Sequence, residues 1–127
     1  MKIASLIASI LLGLLFIFSS AVVLFNMVPE QPAPPEGSAV AMFMGAFIPT
    51  GYMTFVKVLE MLGGLLLLVP KTRNFGLLIL GPIVVNILAF HHFVAKDGIF
   101  QPMLIGVAVL SLFLLWAERK AFLSLLR

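Results

Sequence analysis

The chain has 127 residues, of which 62% are hydrophobic and 10% are charged. Soluble domains average about 25% charged residues, so the composition excludes an ordinary soluble domain and predicts an integral membrane protein. At about 20 residues per span, the length allows four membrane-spanning helices and leaves no room for a separate soluble domain. The chain has no cysteine, so it cannot by itself form a disulfide, a thiolate metal site or a cysteine nucleophile.

The first predicted span, residues 3–28, contains no charged residue and is long enough to cross a bilayer. A secretory signal peptide is the alternative, with Lys2 as its charged start and Ser19, Ser20 and Ala21 as its cleavage site. The apolar run is longer than the usual hydrophobic region of about 7–15 residues and continues past the cleavage site. We therefore expect a retained helix.

A row of small residues, Ser5, Ser9 and Gly13, follows one face of this helix at intervals of four. Such a row lets a second helix approach closely. Chance placement of small residues is an equally good explanation from the sequence alone.

A proline-rich break at residues 26–38 separates the first span from the rest of the chain. Its four prolines exclude a helix and favour an extended connection outside the hydrocarbon. Residues 39–48 are apolar but too short to span a membrane. We expect a short helix there that lies at the membrane surface or packs over the helix bundle.

Three further spans are predicted, at residues 52–69, 75–95 and 99–117. Pro82 lies inside the second of them and should kink it or leave a carbonyl free. The last residues, 118–127, form a short amphipathic tail that suits a position on the membrane surface. The whole chain is thus expected to be one all-α transmembrane domain, a four-helix membrane bundle with a surface helix between the first two spans.

The lysines and arginines predict the orientation of this bundle. Four spans place six of them on one side and only Lys96 on the other; the six are Lys2, Lys71, Arg73, Arg119, Lys120 and Arg127. Because positive loops face the cytoplasm, both termini should be cytoplasmic, in a bacterial inner membrane, with the surface helix outside. The net charge of +3 follows from topology and does not indicate nucleic-acid binding.

Lys57 and Glu60 are the most informative residues of the sequence. An ionisable side chain at the bilayer centre costs roughly 2.5–3.5 kcal/mol, so it is usually paired and turned toward protein. Residues three apart share one face of a helix, which puts this lysine and glutamate within reach of each other.

The depths of the residues in their helices predict that Asn86 lies near this pair. With a rise of 1.5 Å per residue, Lys57 and Glu60 lie about 8–12 Å below the outer end of their helix, and Asn86 lies about 12–15 Å below the outer end of the next. A Lys57–Glu60–Asn86 cluster is therefore expected, with Tyr52 nearer its outer mouth. Two interpretations stay open: a structural clasp between helices, or a site for a ligand or a proton.

His91 and His92 do not predict a metal or haem site. Adjacent helical residues point about 100° apart, so one ion cannot easily bind both, and the chain has no histidine on another helix. No catalytic motif such as HExxH, GxGxxG, Walker A or a nucleophile elbow is present. No catalytic residue and no metal site are expected.

Several segments together resemble the DoxX family. They are LLGLLFIFS, the proline-rich break, TGYM followed by KVLEMLGGLLLLVP, and LLILGPIVVNILAFHHF, and the resemblance covers nearly the whole chain. It implies a compact four-helix membrane bundle whose conserved polar positions correspond to Tyr52, Lys57, Glu60, Asn86 and His91. It also implies that some relatives are membrane subunits of thiosulfate:quinone oxidoreductases, and that others associate with redox-stress enzymes.

Three functions are compatible with these features. The first is a redox-associated, non-catalytic membrane subunit whose polar site accepts a quinone-like or other small lipophilic ligand; a quinone is the one cofactor considered. The second is a membrane scaffold for a partner protein or for a second copy of the chain. The third, a small proton-coupled transporter, ranks last because the first helix carries no glutamate. Fold does not transfer an activity.

Overall fold

The computed structural model describes residues 2–30 and 32–126. Within these residues all regular structure is helical and no strand is present, so the predicted all-α class is confirmed. The helices are α1 (Lys2–Leu24), α2 (Ala39–Phe47), α3 (Tyr52–Leu67), α4 (Arg73–Ala89), α5 (Pro102–Ala117) and α6 (Arg119–Leu123). A π-helical segment (Phe90–Ala95) continues α4, and a 3-10 turn (Ser124–Leu126) continues α6. Arg127, part of the predicted tail, lies outside the described residues.

Two of the described helical stretches are long and apolar enough to cross a membrane: Lys2–Leu24, and Arg73–Ala95 with the π-helical segment included. Two bent helix pairs also qualify if each pair counts as one span. The first pair, α2 and α3, is bent by 78°, and the second, α5 with Arg119–Leu126, is bent by 72°. By length and composition the described chain therefore has two candidate spans, or up to four.

Helix α1 ends at Leu24, four residues before the predicted end. Asn26 adopts a left-handed conformation with φ of 54°, its N–H donates to the carbonyl of Val23, and the N–H of Met27 donates to the carbonyl of Val22. These two bonds form a Schellman motif, the usual way of satisfying the last carbonyls of a helix. The apolar run continues beyond Leu24, but an asparagine in the left-handed region ends the helix.

Helices α1, α3 and α4 form the packed centre of the molecule. Ser9 on α1 donates a hydrogen bond to the carbonyl of Leu67, while Gly13 lies against Gly64, so α1 and α3 run antiparallel. Their backbones touch: a methyl group added at Gly64 would lie 2.8 Å from the carbonyl oxygen of Gly13. The small-residue row predicted on α1 does mark the place where a second helix approaches.

Helix α4 also packs on α3 in an antiparallel direction, next to α1. A methyl group at Gly63 would lie 2.6 Å from Cγ of Leu80, and one at Gly76 would lie 2.8 Å from the carbonyl oxygen of Gly63. Pro82 lies inside α4, as predicted. The mainly apolar core between α1, α4 and α5 includes Leu12, Leu80 and Leu114, each at most 1% exposed.

The other helix limits also differ from those predicted. Helix α3 ends at Leu67 and α4 begins at Arg73; the predictions were 69 and 75. Helix α5 begins at Pro102, three residues late, because the residue before a proline is driven to extended backbone; Gln101 has ψ of 141°. A short helix is present where one was predicted, as α2, and it contacts the π-helical segment.

Candidate functional site

The predicted contact between Lys57 and Glu60 is present. The Nζ atom of Lys57 lies 3.3 Å from Oε2 of Glu60 and 3.4 Å from Oε1. The lysine side chain is 16% exposed and the glutamate side chain 4%. Helical spacing accounts for the contact, since residues three apart are neighbours on the helix surface. A buried charge is retained only when it is paired, and this pair meets that condition.

The buried face of α3 explains why Glu60 is enclosed. Glu60, Gly63, Gly64 and Leu67 are the buried residues of this helix, and they form one stripe at the three-and-four spacing of a helix. The two glycines draw α1 and α4 onto α3 directly next to Glu60. The carboxylate is therefore held where three helices converge.

Asn86 is not part of this cluster, and the predicted triad is wrong at this residue. Its side chain is exposed, and its Nδ2 donates to the carbonyl of Pro82 on its own helix, at 2.7 Å. Each residue advances about 100° around a helix, so Asn86 lies about 200° from the buried Val84. The sequence allows the depth of Asn86 along its helix to be compared with that of Lys57 and Glu60, but it does not show that the Asn86 side chain points away from the packed face of α4.

Tyr52 lies at the corner between α2 and α3 and is 61% exposed. Its ring is 5.2 Å from the ring of Phe47 and 6.5 Å from that of Phe55, measured between centroids. Phe43 extends this aromatic row to Phe90 on the π-helical segment, at 4.9 Å. The tyrosine therefore belongs to a row of aromatic rings that joins α2, the start of α3 and the π-helical segment, and this row is separate from the Lys57–Glu60 pair.

His91 forms a separate pair with Asp97, a residue that the sequence did not single out. Nδ1 of His91 lies 2.8 Å from Oδ1 of Asp97. This hydrogen bond holds the pKa of the Asp97 carboxyl below its ordinary value of 3.8. Nε2 of Gln101 donates to the carbonyl of Gly98 at 3.0 Å and so braces the loop that carries the aspartate. The predicted set of five polar residues is thus divided over four places: the Lys57–Glu60 pair, and Asn86, Tyr52 and His91 each by itself.

A second ion pair, Arg73 with Glu118, was also missed. Nη1 of Arg73 lies 3.2 Å from Oε1 of Glu118, and the two side chains are 9% and 29% exposed. The pair joins the start of α4 to the end of α5, forty-five positions apart. Sequence spacing carries no signal for such a contact; the only hint was that both residues stand at helix ends.

Two shallow clefts lie near this second ion pair, at the end of the molecule away from α2. One, of about 390 Å³, is lined by residues 116–121. The other, of about 200 Å³, lies between the start of α4 and α6. Among the described residues, no group of three His, Asp or Glu side chains is placed to hold a metal ion.

These features define a helical protein with two to four candidate membrane spans and a charged pair buried among apolar helices. No family model matches the chain, and no solved structure matches it. It is 30% identical over 116 residues to the uncharacterized protein YwoB of Bacillus subtilis (strain 168), an alignment that covers 88% of this chain and 74% of YwoB. The chain belongs to the same family as YwoB.

Proposed function

We propose that the chain is an integral membrane protein of DoxX type, with four spans in a bacterial inner membrane and both termini in the cytoplasm. Helices α1 and α4 supply two spans, and α3 and α5, the longer members of the two bent pairs, contribute the other two. The charge distribution supports this orientation, because the described cations Lys2, Lys71, Arg73, Arg119 and Lys120 lie at one end of the helices. The short helix α2 then covers the bundle on the extracytoplasmic side.

Within that membrane, the chain acts as a redox-associated subunit with an intramembrane site for a quinone-like or other small lipophilic ligand. The observation that carries this proposal is the Lys57–Glu60 pair, enclosed by apolar helices. An ammonium group can donate a hydrogen bond to a quinone carbonyl, and a carboxylate can accept one from a hydroxyl. Apolar side chains around the pair would suit an isoprenoid tail.

Catalysis itself would belong to a partner protein, and the chain would be its non-catalytic membrane subunit. A membrane scaffold without a ligand is the second candidate. One specific observation favours it: neither of the two clefts is lined by Lys57 or Glu60. In the scaffold, the Lys57–Glu60 pair only fixes the packing of α3.

Co-purification in mild detergent separates the two. The wild-type chain and the Lys57→Met, Glu60→Leu double variant are purified, and bound lipids are extracted and measured by mass spectrometry. We expect a stoichiometric isoprenoid or quinone in the wild type and its loss in the variant.

The matched control is the Arg73→Met, Glu118→Gln double variant, which removes the other ion pair and should retain the ligand. A stoichiometric protein partner without any lipophilic ligand, in the wild type and both variants, would instead establish the scaffold.

A further inference from the structure

The charged end of the molecule carries a surface that the redox proposal does not use. We propose that the junction of α5 and α6 binds the headgroup of an anionic phospholipid, in preference to a zwitterionic one. The surface consists of Trp116, Arg119 and Lys120, and we call it the junction surface. The proposal does not depend on a ligand at Lys57 and Glu60.

The shape of the chain at this point is the first argument. The axis turns by 72° between α5 and the segment Arg119–Leu126. If α5 crosses the bilayer, the segment after the bend lies close to the membrane plane. Three of its side chains, Leu123, Leu125 and Leu126, are 60%, 63% and 83% exposed. A short segment with exposed leucines and with cations beside them is typical of a helix that lies at the interface.

The arrangement of Arg119 is the second argument. Its guanidinium carbon lies 4.5 Å from the centroid of the Trp116 ring, and its Nη1 donates to the carbonyl of Trp116 at 2.8 Å. One hydrogen bond and one stacking contact hold the group in place, which leaves most of its five N–H donors for an acceptor such as a phosphate. Lys120, also exposed, adds a second cation next to it.

Among the described residues that line this cleft, the one acidic side chain does not oppose an anionic ligand. Glu118 lines the cleft together with the three residues of the junction surface, but its carboxylate is paired with Arg73 at 3.2 Å. At this end the described residues include five lysines and arginines and no acidic residue except Glu118. The charge thus favours an anion, and if α5 crosses the bilayer, the cleft at its end lies near the lipid headgroups.

The tryptophan makes the proposal directly testable, because Trp116 is the only tryptophan in the chain. The full chain is reconstituted into bilayers that contain phosphatidylcholine and phosphatidylglycerol, with bromine on the acyl chains of one lipid or of the other. The quenching of Trp116 fluorescence by each brominated lipid gives the relative affinity of the two lipids at this surface. Each protein is normalised to its own fluorescence in unbrominated lipid.

We expect brominated phosphatidylglycerol to quench more strongly in the wild type. A basic residue near a membrane surface contributes about 1 kcal/mol toward anionic lipid, which is about fivefold in affinity. Lys120→Gln should therefore lower the preference about fivefold, and Arg119→Gln with Lys120→Gln should bring it close to one. Raising the salt concentration should reduce the wild-type preference as well.

Lys96→Asn is the matched control, because it removes one exposed cation at the other end of the molecule. Lys96 has a left-handed backbone with φ of 55°, which asparagine tolerates. It should leave the preference unchanged. Arg119 and Lys120 are exposed, so their variants should fold, and circular dichroism checks this. Equal quenching by both lipids in the wild type would overturn the proposal. A preference for phosphatidylglycerol that survives in the Arg119→Gln, Lys120→Gln variant would also overturn it. The same holds if Lys96→Asn abolishes the preference as fully as that double variant does.

Discussion

At the scale of single residues, breaking the Lys57–Glu60 pair should lower the stability of the protein most. Glu60→Leu leaves the Lys57 ammonium, only 16% exposed, without its counter-charge. Breaking a buried pair by removing one partner costs about 3–5 kcal/mol, whereas replacing both partners by apolar residues is often neutral. We therefore expect Glu60→Leu to lower the melting temperature in detergent strongly, and Lys57→Met with Glu60→Leu to restore most of it.

The comparison between the single and the double variant is the decisive measurement. Equal melting temperatures for the two would mean that the two charges are not energetically coupled. Glu118→Gln serves as a control, because glutamine keeps a side-chain oxygen that can accept a hydrogen bond from Arg73 and the Glu118 side chain is 29% exposed, against 4% for Glu60. Its effect should be clearly smaller.

The His91–Asp97 hydrogen bond predicts how the aspartate titrates. His91 lowers the pKa of Asp97 in the folded chain. The hydrogen bond therefore stabilises the fold at pH values above 3.8, the ordinary pKa of an aspartate. That contribution is lost as the pH falls through the lower, folded pKa. His91→Phe should raise the pKa of Asp97 toward 3.8, and His92→Phe, which changes the neighbouring ring, should not.

Asp97 is the only aspartate in the chain, so selective carbon-13 labelling gives one carboxyl signal to follow by NMR in detergent. A midpoint that is the same in the wild type and in His91→Phe would show that the hydrogen bond does not form in solution.

The residues of the site differ in how far the sequence could predict them. Lys57 and Glu60 share a helix, so local spacing is enough. The prediction for Asn86 was wrong because the direction of its side chain depends on which face of α4 is buried. That face is set by the packing of Gly76 and Leu80 against α3. Arg73 and Glu118 meet through the packing of two helices, which no spacing reports.

At the scale of helices, glycine contacts set the distance between α1, α3 and α4. Gly64→Ala would place a methyl group 2.8 Å from the backbone oxygen of Gly13, which cannot rotate away, so α1 and α3 must separate. Overpacking of this kind costs roughly 1–3 kcal/mol. We expect a lower melting temperature in detergent and weaker protection of α1 in hydrogen exchange.

Gly81→Ala is the matched control on α4. A methyl group there meets nothing within 4 Å, and alanine is the better helix former by about 1 kcal/mol. It should be neutral or slightly stabilising. If Gly64→Ala were equally harmless, the close approach of α1 and α3 would not be needed for stability.

Helix existence was easier to predict than helix ends. Long apolar runs located α1, α3, α4 and α5, because such runs must be buried or face lipid. The ends depend on single backbone conformations, such as the left-handed Asn26 that stops α1. From the sequence, Asn26 marks only the start of the proline-rich break, although asparagine is a known residue for such a helix end.

At the scale of the whole molecule, charge is distributed very unevenly between the two ends. The end with α2 carries the described acidic residues Glu30, Glu36 and Asp97 and a single lysine, Lys96, whereas the other end carries five described cations and one glutamate. The proposed orientation follows from this difference, since cationic loops remain in the cytoplasm. Four spans would also bring both termini to the same side.

The absence of cysteine makes the orientation simple to test. Single cysteines are introduced at Glu36 and at Lys120, both exposed in the structure, and intact cells are treated with a maleimide that does not cross the membrane. We expect Glu36→Cys to be labelled in intact cells, and Lys120→Cys only after permeabilisation. The cysteine-free parent, which should stay unlabelled, controls for background. The reverse pattern would invert the proposed topology. Labelling of both positions from the same side would mean that an even number of segments, and not three, crosses the membrane between residues 36 and 120, and the four-span bundle would have to be abandoned.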